Sequence, residues 1–237
     1  MIFKNGDLNF SHVAFELGQH RELQSENSEM AVLLLQGEAH LTMNGEKMRA
    51  TRAHWKDETP FVAHVSPGTA LTIDCKSASR FAIVETPNDE RFLSKFYMAE
   101  DVKTEHRGKG ILNDAAYRLV RTVFDATNAP PQAKLVLGEV INFPGRWSSY
   151  PPHHHPQDEI YYYEFDPPHG FGFGQCGDKV ETLRHQDVLF IEGGKDHAQV
   201  SAPGYSMYYL WAIRHAPEIY TGFEYSAPHG DLVRSAS

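Results

Sequence analysis

Short apolar, β-rich runs recur along the chain and are separated by glycine, proline and asparagine. In the first half, runs at residues 30–37 and 39–43 are followed by Asn44-Gly45, a dipeptide suited to a tight hairpin turn. Further runs follow at residues 61–65, 70–73, 81–85, 117–124, 134–141, 159–165, 187–192 and 205–213. This spacing favours a sandwich or barrel over alternating βαβ units. The sequence therefore predicts an all-β protein.

A polar and charged stretch, residues 88–114, interrupts this pattern and lacks apolar periodicity. We predict a linker there, with one antiparallel β-barrel before it and a second after it. The predicted domains are residues 1–113 and residues 114–237. The first domain contains histidines but no His-x-His pair followed by a carboxylate. We therefore expect a metal site in the second domain and none in the first.

The 237 residues include 22 basic and 31 acidic side chains, which give a formal net charge of −9. No block of lysine or arginine could follow a phosphate backbone, so we expect no nucleic-acid partner. The sequence has no apolar stretch long enough to span a bilayer and no secretory signal pattern, so we expect no membrane partner and a cytoplasmic location. Cys75 and Cys176 lie far apart in ordinary surroundings, so both are expected to be unpaired.

Candidate metal ligands are concentrated within a few positions just before and at the start of a predicted strand. Side chains two positions apart on a strand share a face, so His153 and His155 can point into a barrel while His154 points away. Glu159 has the same parity as this pair. The spacing therefore predicts two imidazoles and one carboxylate on a single face.

His197 lies in a turn after the predicted strand at residues 187–191 and can complete this ligand set. Imidazoles with one carboxylate leave coordination positions open on a divalent cation, as a catalytic site requires. Zinc and manganese are the first candidates, and iron, cobalt or nickel are also compatible. The alternative is that the three consecutive histidines form a solvated loop or a weak adventitious site.

The pattern His-x-His-x-x-x-Glu with a distant histidine resembles the metal motif of the cupins. Beyond this motif, the second half is similar to the 5-deoxy-glucuronate isomerase family, a group of bicupin uronate isomerases related to the 4-deoxy-5-keto-uronate isomerases. The segments that carry the similarity are residues 134–140, 147–153, 159–163, 165–172 and 202–210. A fainter similarity covers residues 32–39 in the first half.

This resemblance implies a bicupin of two jelly-roll β-barrels that interconverts the aldose and ketose forms of a deoxyuronate, in the first place 5-deoxy-glucuronate of inositol catabolism. It matches the family's metal ligands to His153, His155, Glu159 and His197. It also implies a homo-oligomer that binds a small acidic sugar as its substrate.

Moving a proton between adjacent carbons needs a base as well as a metal. Tyr161 and Tyr163 share the face of Glu159 if the strand is regular, and Lys195 lies close in sequence to a predicted ligand. Arg146 is a candidate to pair with the substrate carboxylate. The alternatives are that the tyrosines are core aromatic residues and that the lysine and arginine are solvated.

Other functions use the same ligand set. A 4-deoxy-5-keto-uronate isomerase would differ in its substrate. An iron-dependent cupin dioxygenase would consume oxygen, since imidazole and carboxylate also suit iron. A non-catalytic sugar-binding cupin would keep the pocket but show no turnover.

Overall fold

The computed structural model of the protein describes residues 1–215 and 217–234, with Arg234 described by its backbone alone. The first strands are β1 (Ile2–Asn5), β2 (Leu8–Phe15), β3 (His20–Leu23), β4 (Ser28–Met43), β5 (Glu46–Arg52), β6 (Val62–Val65), β7 (Leu71–Cys75), β8 (Ser79–Pro87) and β9 (Lys95–Tyr97). The next are β10 (Lys103–Arg107), β11 (Arg118–Phe124), β12 (Leu135–Asn142), β13 (Trp147–His154), β14 (Glu159–Asp166), β15 (Phe171–Cys176), β16 (Lys179–Arg184), β17 (Val188–Ile191), β18 (His197–Ser201), β19 (Ser206–Arg214) and β20 (Glu224–Tyr225). Helical structure in the described part of the chain is limited to a 3-10 turn, Leu112–Asp114, and the short helix α1 (Asp231–Arg234).

The chain divides into two compact units, and each unit is built from two segments. The first unit comprises Met1–Val102 and Val123–Leu137, and the second comprises Lys103–Thr122 and Gly138–Ser237. Strands β11 and β12 therefore contribute residues to both units. The domain limits expected from the sequence stay a prediction.

Strand β4 organises the first unit. It spans 16 residues and pairs antiparallel with β5, β6, β7 and β8 within a nine-stranded sheet. The predicted hairpin turn joins β4 to β5, and Asn44 and Gly45 have the positive φ angles, 52° and 79°, that such a turn requires. Apolar side chains of β4 to β9 form the core of this unit.

Two sheets supply the strands of the second unit. One has the order β10-β11-β12-β19-β14-β17, and the other has the order β16-β15-β18-β13-β20. Their facing surfaces share a core cluster that includes Tyr161 and Tyr163 from β14 and Leu183 from β16. The all-β prediction is confirmed. Over the described residues none of the sheets closes on itself.

The stretch predicted as a linker contains two strands, so that prediction is wrong in part. Strand β9 pairs with β6 and buries Phe96 and Tyr97, and β10 pairs with β11. Strand β10 is a short, largely exposed edge strand rich in charged residues. Charged side chains are common on such edges, and backbone hydrogen bonds form without apolar periodicity. Its sequence therefore carries no strand signal.

Both cysteines are free, as the sequence predicts. Cys75 is buried, and burial raises the pKa of its thiol. The thiol therefore behaves as a small apolar core group rather than as a nucleophile. Within the described ranges, no helix has both the length and the apolar character needed to cross a membrane.

Candidate metal centre

Three strands of the second unit, β13, β14 and β18, position the candidate ligands. Strand β13 pairs antiparallel with β18, and this register sets His153 opposite His197. His155 follows directly after β13, and Glu159 is the first residue of β14. The short connection between β13 and β14 therefore carries ligands at both of its ends.

His155, Glu159 and His197 form a buried cluster whose candidate ligand atoms all lie within 4.8 Å of one another. Glu159 Oε2 is 3.2 Å from His155 Nε2 and 3.6 Å from His197 Nε2. Two ligand atoms about 2.1 Å from one ion, at angles of about 90–110°, would be about 3.0–3.4 Å apart. The 3.2 Å separation lies within this range and the 3.6 Å separation lies just beyond it, so the spacing and the imidazole and carboxylate donors suit a divalent metal ion.

Backbone carbonyls orient two of the imidazoles. His197 Nδ1 lies 3.1 Å from the Lys195 carbonyl oxygen, and His153 Nδ1 lies 3.4 Å from that of Pro151. Because a carbonyl oxygen only accepts, each Nδ1 carries the proton and each Nε2 keeps its lone pair. His197 Nε2 is buried and has no hydrogen-bond partner, so it is available to a metal ion.

His153 lies beside the three-residue cluster. Its ring centroid is 4.4 Å from that of His197 and 4.1 Å from that of Phe223. Burial, with a further contribution from His197, lowers the pKa of His153 well below its usual value, and burial also lowers the pKa of His197. Neutral imidazole is the form that binds metal. The structure thus brings three of the four predicted ligands together and packs the fourth against them.

His154 points away from the cluster, in agreement with strand parity. Its side chain is partly exposed, and its Nδ1 lies 2.8 Å from Asp196 Oδ1. Burial opposes ionisation of Asp196, but the hydrogen bond and charge of His154 lower its pKa below the usual value. The contact between His154 and Asp196 connects the end of β13 to the turn that precedes His197.

Two hydrogen bonds donated by backbone amides also link the turn before β18 to the connection between β13 and β14. The Gly193 amide donates to Asp158 Oδ1 at 2.8 Å, and the Gly194 amide donates to the His155 carbonyl at 2.7 Å. A Cβ atom on Gly193 would collide with the carbonyl group of Pro156. Glycine at this position therefore permits the close approach that brings ligands of the two segments together.

Tyr161, Tyr163 and Tyr209 are buried in the interior of the second unit. The Tyr161 ring is 6.0 Å from the His197 ring and 4.9 Å from the Tyr209 ring. The Tyr209 hydroxyl lies 2.5 Å from Ser148 Oγ. Burial raises the pKa of all three phenols, so their hydroxyl groups are protonated and able to donate hydrogen bonds.

Lys195 and Arg146 occupy contrasting positions. The Lys195 side chain is exposed in the turn before β18, next to His197 in sequence. The Arg146 carbonyl accepts from the Ser201 amide at the far end of β18, about 13 Å along the strand from His197. The Arg146 guanidinium donates to the Asp114 carbonyl. The roles expected of both side chains stay predictions.

Two further polar residues of this interior, Gln199 and Arg118, belong to no motif in the sequence. Gln199 is fully buried, and neither polar atom of its side chain has a hydrogen-bond partner. It lies two positions after His197, so strand parity is the signal that identifies it. Arg118 is also buried and lies two positions before the core residue Val120 on β11. The same parity argument applies to it.

The sequence matches the profile of the KduI/IolB family over residues 4–230. A relative from Lacticaseibacillus casei, named 5-deoxy-glucuronate isomerase, is 31% identical over 221 residues. The aligned region covers 81% of this chain and 79% of that relative.

Solved structures share the fold at lower sequence identity. An IolB-like protein from Salmonella typhimurium matches with a TM-score of 0.87 and 22% identity, covering 96% of this chain and 90% of that chain. A Cupin 2 conserved barrel domain protein from Leptotrichia buccalis matches with a TM-score of 0.53 and 13% identity, covering 90% and 87% of the two chains. The fold is therefore cupin-like. With its profile match extending over residues 4–230, the chain belongs to the KduI/IolB family.

Proposed function

We propose that this protein is an isomerase that interconverts the aldose and ketose forms of 5-deoxy-glucuronate with the help of a divalent metal ion. The observation that carries the proposal is the buried cluster of His155, Glu159 and His197 in a member of the KduI/IolB family. The relative from Lacticaseibacillus casei, which covers 81% of this chain, is named 5-deoxy-glucuronate isomerase. This relationship favours the same substrate here.

The proposed metal ligands are His153, His155, Glu159 and His197. The imidazoles are neutral donors, and Glu159 supplies the negative charge of the set. Zinc or manganese is proposed first, and iron, cobalt and nickel are alternatives because the same donors accept each of them. Once bound, such a metal ion would polarise the substrate carbonyl and stabilise the negative charge that develops as a proton leaves the adjacent carbon.

Isomerisation also needs a protein group that accepts a proton from one carbon and returns it to the next. Tyr161, Tyr163 and Lys195 are the proposed catalytic residues, and because burial keeps both phenols protonated, the two tyrosines are suited to donate a proton or a hydrogen bond to a substrate oxygen. The 6.0 Å separation between the Tyr161 and His197 rings supports the first of these. The unpartnered amide of Gln199 is suited to hydrogen-bond with sugar hydroxyls. Arg146 is retained as a candidate for the substrate carboxylate.

The proposal extends to the architecture and setting of the enzyme. We propose two tandem jelly-roll barrels, as in a bicupin, with the metal in the second, and the Leptotrichia buccalis barrel protein supports this arrangement. Unpaired cysteines support a reducing, cytoplasmic environment. We also propose that the protein associates into a homo-oligomer. The small acidic sugar would be an intermediate of inositol catabolism.

A coupled isomerase assay tests the function. Metal-loaded and chelator-treated protein are each given 5-deoxy-glucuronate or a 4-deoxy-5-keto-uronate, with dissolved oxygen recorded in parallel. We expect turnover of the first substrate, loss on chelation and recovery when metal is restored. Turnover of the second substrate alone would move the assignment to the related isomerases. Oxygen consumption without isomerised product would indicate a dioxygenase, and binding without turnover would indicate a sugar-binding protein.

A further inference from the structure

A cavity of about 140 Å³ lies in the second unit. Its walls include Arg107, Arg118, Tyr150 and Tyr225. By the same measure of volume a single buried water needs about 10–15 Å³, so this cavity has room for a much larger group, such as part of a small organic anion.

Arg118 places a buried cation in the wall of this cavity. The residue is 5% exposed, its Nη1 donates to the Ala116 carbonyl at 2.9 Å, and its Nε is buried without a hydrogen-bond partner. No ion pair joins it to a carboxylate of the described residues. Guanidinium stays charged in proteins, and burying a charge without a partner is costly. Burial accordingly lowers the pKa of Arg118.

The other arginines of β10 and β11 have carboxylate partners. Arg107, which also lines the cavity, donates to Glu105 through Nε at 3.0 Å and Nη2 at 2.8 Å. Arg121 is buried, and its Nη1 lies 2.8 Å from Glu139 Oε1. Both charges are therefore compensated within the protein. Arg118 differs from its neighbours in facing a cavity with its charge uncompensated.

This cavity adjoins the candidate metal centre. Tyr225 of its wall lies directly opposite His153 in the ladder between β20 and β13. The rings of these two residues are 6.5 Å apart. The charge of Arg118 also acts on His153, and Tyr161 and Tyr209 act on Arg118 in turn. Tyr225 therefore links the wall of the cavity to His153 of the candidate metal centre.

We propose that Arg118 and this cavity form the subsite for the carboxylate of the substrate, an inference that rests on the proposed function for the class of that substrate. A uronate carries its carboxylate at the opposite end of the carbon chain from its carbonyl. The two ends thus need two recognition sites, and a guanidinium can hold a carboxylate through two parallel hydrogen bonds. Arg146 lacks this setting, since it is only partly buried and does not line the cavity.

The test uses titration calorimetry to measure the binding of two sugars to the full-length, metal-loaded protein. One is glucuronate, and the other is glucose, which has the same skeleton without the carboxylate. Arg118→Gln removes the charge, and Arg118→Lys keeps the charge but loses the planar fork. We expect Arg118→Gln to weaken glucuronate binding about 10- to 100-fold and to leave glucose binding unchanged. Arg118→Lys should show a smaller loss. Arg121→Lys, a buried arginine on the same strand, is the matched control and should keep the preference for glucuronate.

Two results would overturn the subsite. In one, Arg118→Gln binds glucuronate as tightly as the wild-type protein does. In the other, the wild-type protein binds glucuronate no better than glucose. Circular dichroism establishes folding of each variant, and Arg118→Lys carries the test if the glutamine variant does not fold. Failure of the proposed function gives a different result. Arg118-dependent glucuronate binding without turnover of 5-deoxy-glucuronate would keep the subsite and remove the isomerase assignment. If Arg118→Gln turns over 5-deoxy-glucuronate with an unchanged KM, the isomerase assignment is kept and the carboxylate subsite is lost.

Discussion

His153 and His197 face each other across β13 and β18 with their ring centroids 4.4 Å apart. Each ring is oriented by a backbone carbonyl two residues before it, at Pro151 and Lys195. The two imidazoles are therefore presented in the same way, although His197 alone belongs to the three-residue cluster. This equivalence supports His153 as an additional metal ligand.

Replacing His153 and His155 together by alanine should remove the bound metal. Wild-type protein purified without chelators should hold at most about one equivalent per chain by elemental analysis, because the chain offers one proposed ligand set. His154→Ala is the matched control and should retain the metal, since its side chain binds Asp196 outside the cluster. Metal retained by the double variant would contradict the site.

Glu159→Gln should weaken metal binding by at least about 10-fold and lower turnover with it, because the carboxylate is the sole anionic donor of the proposed set. Titration with a fluorescent chelator as competitor measures the affinity, and the isomerase assay measures the activity. Glu181→Gln, at an exposed position on β16, serves as the control. Undiminished activity of Glu159→Gln would show that the chemistry lies elsewhere.

Gly193→Ala should separate the turn before β18 from the connection between β13 and β14. The added methyl group would collide with the Pro156 carbonyl, so we expect a loss of about 1–3 kcal/mol in unfolding free energy together with weaker metal binding. Gly204→Ala is the control, because Gly204 has a φ of +90° but nothing within 4 Å of an added Cβ. Its strain should lower the stability and leave the metal affinity unchanged. An unaltered metal affinity in Gly193→Ala would refute the proposed role of the turn.

Isomerisation in deuterated water tests proton transfer. If a protein base takes the proton and exchanges it with solvent, the product should carry deuterium at the carbon that receives it. Nuclear magnetic resonance of the product measures this incorporation. Full retention of the substrate hydrogen would contradict transfer through an exchanging base, and if it results from a metal-assisted hydride shift, no proton-transfer role is left for Tyr161, Tyr163 or Lys195.

In the first unit, a buried carboxylate is held by four donors. Glu29 accepts from Asn88 Nδ2 at 2.8 Å, from the Lys134 amide at 2.7 Å and from the Leu135 amide at 3.0 Å, and it lies 2.8 Å from His64 Nε2. Burial opposes its ionisation, but the hydrogen bond and charge of His64 and the other donors lower its pKa below the usual value. The ionised form is therefore the one that the fold stabilises.

A carboxylate with a depressed folded-state pKa adds stability above its unfolded pKa of about 4.3, and this contribution is lost as the pH falls through the folded value. Glu29→Gln should thus cost about 2–4 kcal/mol of unfolding free energy near pH 7 and flatten the fall in stability below about pH 4. Urea unfolding across this pH range measures both effects. Glu38→Gln, which removes a solvent-exposed partner of Arg49, should change little. Equal losses in the two variants would contradict the assignment.

Local periodicity in the sequence determined much of the site. The two-residue repeat of a strand is enough to separate the buried His153 and His155 from His154, which binds Asp196. The positive φ angles that Asn44-Gly45 tolerates are likewise a local property, and the predicted hairpin turn is present. Alternation and turn residues also predicted the all-β class. Each of these features depends on neighbouring residues alone.

The tertiary structure decided which strands lie opposite one another, and the sequence carries no local record of that pairing. Arg146 and Arg118 have the same chemistry and each donates to a backbone carbonyl, yet of the two only Arg118 is buried and lines a cavity beside His153. The sequence does not distinguish Gly193 from the other glycines, whereas the structure shows that a Cβ atom there would collide with the Pro156 carbonyl. Strand pairing and burial join residues that are distant in the chain, and burial is what gives an uncompensated charge its energetic cost.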